Sequence, residues 1–63
     1  MTARLFRFPD RRIEAVLVIP EPLGGHYVIV HEFGWLFGSR RDAEREARAL
    51  ARQHGLPVRE VEA

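Results

Sequence analysis

Two neighbouring segments of this chain are apolar on both sides, and that restricts its folds more than any other feature. Residues 13–19 (IEAVLVI) contain four β-branched side chains and no breaker, and residues 26–33 (HYVIVHEF) form a second run of the same kind. Such composition reads as β-strand. Successive side chains of a strand point to opposite faces. In the first run Ile13, Ala15, Leu17 and Ile19 therefore share one face, and Val16 and Val18 share the other beside Glu14. In the second, Tyr27, Ile29, His31 and Phe33 lie together, opposite Val28 and Val30 with His26 and Glu32. A strand with one wet face alternates apolar with polar. The middles of these two do not.

The remaining elements follow from breakers and periodicity. Residues 4–8 (RLFRF) read as a short, partly alternating strand, ended by the turn signal Pro9-Asp10. Pro20-Glu21-Pro22 stops the first apolar run, since neither proline can donate to a ladder, and Gly24-Gly25 lets the chain reverse. Gly34 marks a tight turn into Trp35-Leu36-Phe37. Connections this short make antiparallel neighbours, and a meander follows.

The period then changes. Ala43, Ala47, Leu50, Ala51 and His54 recur at the spacing of one helix face. Ser39 with Asp42 three residues on is a capping-box variant, Gly55 suits the residue after a helix end, and Pro57 forbids continuation. The helix therefore spans about residues 40–54, with Glu44 and Arg48 placed as a favourable pair. Val58 and Val61 then supply a short last strand. The expected fold class is α+β: an antiparallel meander of three to four strands, one helix packed on one face, and a short C-terminal strand. Residues 1–63 form one small domain.

The helix face is mostly alanine and contributes little buried area, so the strands must supply the core. One helix covers one side of a small sheet. Leaving Val16, Val18, Val28 and Val30 wet on the second side would forgo roughly 1.5–3 kcal/mol each relative to burial. A chain of this length seldom draws more than about 3–5 kcal/mol from a single core. The expectation is that a second copy or a protein partner covers these four valines, since most small oligomers are two-fold dimers.

Other classes find little support. There is no cysteine, which removes disulfides and thiolate metal sites. The longest apolar run, residues 15–19, is far short of a membrane span. Residues 1–7 carry no apolar signal-peptide core, and the expected setting is cytoplasmic. His26 and His31 face opposite sides and have no ligand spacing to His54, so no metal or cofactor is expected. Ser39 is better used as a helix cap than as a nucleophile, and the glycines lack the strand-to-helix context of a phosphate loop. The expectation is a protein without enzymatic activity.

The alternative class is nucleic-acid binding. All ten basic side chains are arginine, and the formal charge is only +1. Arg4, Arg7, Arg11 and Arg12 are interleaved with Phe6 and Phe8 in the first strand and the loop after it, a composition that holds phosphates and stacks bases. The arginines of the helix are mixed with acids, as on a solvated face.

The run from Tyr27 to Val30, Trp35 to Phe37, Ser39, Ala43, Ala47, Leu50-Ala51, Gly55 and Val58 resembles a class of small bacterial domains of unknown function. Their pattern is two strands with aromatic positions, a serine- or threonine-capped helix rich in alanine, and a closing strand. The likeness covers about residues 26–62, with Tyr27 where those domains usually carry tryptophan. It implies a β-β-α-β core and no known activity, so no functional residues come with it.

Overall fold

In the structure, a computed structural model that describes residues 4–9 and 13–61, the helix α1 runs Arg40–His54. Its ends are set by local chemistry. Ser39 is extended, and its Oγ accepts a hydrogen bond from the Asp42 N–H at 3.2 Å. A cap of this type is worth about 1 kcal/mol. Gly55 is left-handed at φ 68°, and the N–H of Leu56 returns to the carbonyl of Ala51 at 2.9 Å. Glu44 is held by Arg40 Nε at 3.2 Å rather than by Arg48, and Arg40 also reaches Glu60 at 3.0 Å. Glu60 first, then Glu44, raises the Arg40 pKa.

Five strands form one sheet: β1 (Arg4–Arg7), β2 (Val16–Pro20), β3 (His26–Val30), β4 (Phe33–Phe37) and β5 (Val58–Glu60). Their order is β1-β4-β3-β2-β5. The expected antiparallel meander exists as β2-β3-β4. The sheet as a whole is mixed, because β5 pairs in parallel with β2. The helix carries the chain back along the sheet, so the strand after it runs in the direction of β4, and hence of β2.

Several strand boundaries differ from the sequence expectation. β2 begins at Val16 rather than Ile13 and includes Pro20. β3 stops at Val30, and His31-Glu32 make a two-residue turn in which His31 has φ 55°. Gly34 is not a turn residue but lies within β4. The first strand also sits elsewhere: β1 is the far edge of the sheet beside β4, not the neighbour of β2. The N–H of Phe8 extends that pairing to the carbonyl of Glu32 at 2.6 Å. The reason is the seat that Gly34 provides. A Cβ on Gly34 would overlap the Phe8 ring, reaching 2.9 Å from its Cδ2 and 3.2 Å from Ile29 Cγ1.

The core corrects the expected interface. Val16, Val18, Val28 and Val30 are the most buried side chains of the sheet, at 0–2% exposure, and they pack beneath Ala43, Ala47 and Leu50 of α1. Trp35, Phe37, Ala51 and Leu56 close the edges of this cluster. The four valines are thus covered by their own helix and not by a partner. Beta-branched side chains against alanine let the helix lie close to the sheet, and the hand of the crossover fixes the side. The connection from β4 to β5 passes over β3 and β2, and a right-handed crossover places its helix over the face of Trp35, Val28 and Val18.

Candidate docking face

With α1 on the valine side, the opposite face of the sheet has no helix over it among the described residues. Register defines what it presents. Leu17 pairs with Ile29, Ile29 with Gly34 and Gly34 with Phe6, while Ile19 pairs with Tyr27 and Tyr27 with Leu36. Directly paired residues share a face, so these apolar side chains form one continuous surface. Leu17, Ile19, Tyr27, Ile29, Leu36, Phe6 and Phe8 are all only partly buried.

The surface has relief. Phe6, Phe8 and Tyr27 form an aromatic ridge, with Tyr27 edge-on to Phe6 at 5.6 Å and to Phe8 at 5.9 Å between centroids. Such pairs are worth about 0.5–1.5 kcal/mol beyond area burial. Beside the ridge is a hollow of about 290 Å³, lined by Ala15, Leu17, Ile19, Tyr27 and Ile29 from the β2–β3 region together with Phe8, Pro9, Ile13 and His31. Among these lining residues His31 is the one with a titratable group other than a phenol.

The two apolar faces expected from the alternation are therefore both present, with their roles exchanged. The wet face belongs to Leu17, Ile19, Tyr27 and Ile29. Phe33, read with that group, falls instead on the helix side opposite Val30, because the two-residue turn begins a new strand.

Of the arginines of the alternative reading, Arg4 and Arg7 have described register positions, and these lie on opposite faces. Arg7 is in register with Phe33 on the helix side, whereas Arg4 is in register with Leu36 on the open side. Arg7 Nη2 lies 3.5 Å from Glu32 Oε2 in an exposed pair, and such pairs contribute about 0–1 kcal/mol. Arg11 and Arg12 lie outside the described residues.

The histidines are arranged in a way that spacing does not show. His31 and His54, from the β3–β4 turn and the helix end, stand edge to face with ring centroids 5.5 Å apart. His26 is separate, at the start of β3, and its Nδ1 is buried without a hydrogen-bond partner. No group of three or more metal-ligating side chains occurs among the described residues. Among them, too, no helix is long and apolar enough to cross a membrane.

No family model matches the chain, and neither the curated proteins nor the solved structures contain a match to it.

Proposed function

We propose that this protein is a non-enzymatic docking module of the cytoplasm that works through the open face of its sheet. The observation that carries this is the partly buried apolar surface centred on Leu17, Ile19, Tyr27 and Ile29, over which no helix lies among the described residues. The four side chains are already mostly buried, and completing their burial adds at most roughly 2–4 kcal/mol. Against a core that supplies about 3–5 kcal/mol by itself, that is still a substantial share. A protein surface is the fitting cover, because the face combines apolar area with relief and carries its charge at the rim. Nucleic-acid binding has less support, since the positions of Arg4 and Arg7 are on opposite faces.

The test separates docking area from folding core. In the double variant Leu17→Thr, Ile19→Thr the strand keeps β-branched residues, which suit it, while the face loses apolar cover. Dilute protein is expected to stay folded, with a thermal midpoint within about 5 °C of the parent. It should also lose the binding of an apolar dye that the dilute parent shows. An unfolded variant would mean that the face belongs to the protomer's own core, and the docking role would be wrong.

A further inference from the structure

One register row crosses the open face from edge to edge. Phe6, Gly34, Ile29, Leu17 and Arg59 lie side by side on β1, β4, β3, β2 and β5. The row is polar in the geometric sense: an aromatic ring at one edge, a guanidinium at the other, an isoleucine on the central strand. We infer that the surface covering this face is a second copy of the chain, packed sheet on sheet about a two-fold axis that lies between the faces and runs along β3. This rests on the docking role proposed above and names its partner.

A half-turn about that axis reverses the strand order of the facing copy. Its β1 then lies over β5 and its β4 over β2, while each row stays in place. Phe6 of each copy meets Arg59 of the other, and Ile29 meets its own symmetry mate. A guanidinium over an aromatic face is attractive, and here the pair forms twice. A half-turn about the perpendicular in-plane direction would instead set Arg59 over Arg59, like charge on like charge. Among the described residues Arg59 makes no salt bridge within its own chain.

Shape and area agree with this placement. The hollow over β2 and β3, about 290 Å³, is roughly twice the ~150 Å³ cavity that accepts a benzene ring. Leu36 of the facing copy stands over Ile19 at its edge. Molecular extents of 27 × 22 Å cap the footprint at about 600 Å² per copy. The pair then buries at most about 1,200 Å², the low end of specific interfaces. A dimer of moderate affinity is what such an area supports.

Sedimentation equilibrium of the full chain, from micromolar to millimolar concentration, is the test. The parent is expected to show a monomer–dimer equilibrium. Ile29→Asp sets two carboxylates against each other on the axis and should weaken it by at least about 100-fold. Arg59→Glu, a change on an exposed edge that leaves the core untouched, should weaken it about tenfold. Circular dichroism of both variants separates lost association from lost fold. A dimer that both variants leave intact overturns the sandwich, and one that only Ile29→Asp breaks overturns the position of the axis. A parent that stays monomeric yet binds anilinonaphthalene sulfonate on this face overturns the second copy while the docking role stands. A monomer that binds no dye overturns both.

Discussion

Val28→Asp is expected to unfold the chain, while Ile29→Asp, one residue further along the same strand, leaves it folded. Val28 is fully buried beneath the helix, and among the described residues no buried polar or charged side chain is there to receive a carboxylate. An unpaired carboxylate in such a place costs several kcal/mol, or must be protonated at a similar penalty. The whole stability of a domain this size is about 3–5 kcal/mol. Circular dichroism at 25 °C should therefore show a largely disordered Val28→Asp chain. Ile29 is on the open face and only partly buried, so a charge there remains in contact with water. The opposite pattern, with Val28→Asp folded and Ile29→Asp unfolded, would mean that the helix covers the isoleucine side and not the valines.

Gly34→Val should have the next largest effect on the protomer. The Phe8 ring occupies the space where a side chain on Gly34 would stand, and Ile29 Cγ1 closes the other side. Overpacking of this kind costs typically about 1–3 kcal/mol, which in a small domain lowers the thermal midpoint by about 5–20 °C. The displaced ring would leave its edge contact with Tyr27. Near-ultraviolet dichroism of Tyr27 should weaken, and the Phe8 amide, bonded to the Glu32 carbonyl, should exchange faster. If midpoint, spectrum and exchange all match the parent, Gly34 is not the seat that holds β1 to the sheet.

What the amino-acid sequence makes legible is the local part of this fold. Ser39, Gly55 and Pro57 bound the helix because capping and chain reversal are decided within a few residues. The doubly apolar strands are legible too, since alternation needs no knowledge of neighbours. The position of β1 is not. Pro9-Asp10 is a good local turn signal, yet the pairing of β1 with β4 depends on a glycine more than twenty residues away. Gly34 reads as punctuation in one dimension and as a packing seat in three.

The exchange of faces has the same origin. Both sides of β2 and β3 carry branched apolar residues, so hydropathy alone does not say which one the helix chooses. The choice follows from the hand of the β4–α1–β5 crossover, and that requires knowing that β5 lies beyond β2. The contact of His31 with His54 likewise joins positions that no spacing rule relates. Assigning the uncovered face to Val16, Val18, Val28 and Val30 is thus an error of side: the helix covers the valines, and the face of Leu17, Ile19, Tyr27 and Ile29 is the one with no helix over it among the described residues.

The most direct measurement is the accessibility of methyl groups to a soluble nitroxide, read by nuclear magnetic resonance on dilute, methyl-labelled protein. The methyls of Leu17, Ile19 and Ile29 should broaden strongly, and those of Val16, Val18, Val28 and Val30 should stay sharp. Raising the protein concentration should protect the first group and leave the second unchanged. Broadening of the valines, or full protection of Leu17, Ile19 and Ile29 at every dilution, would contradict an open docking face on the isoleucine side.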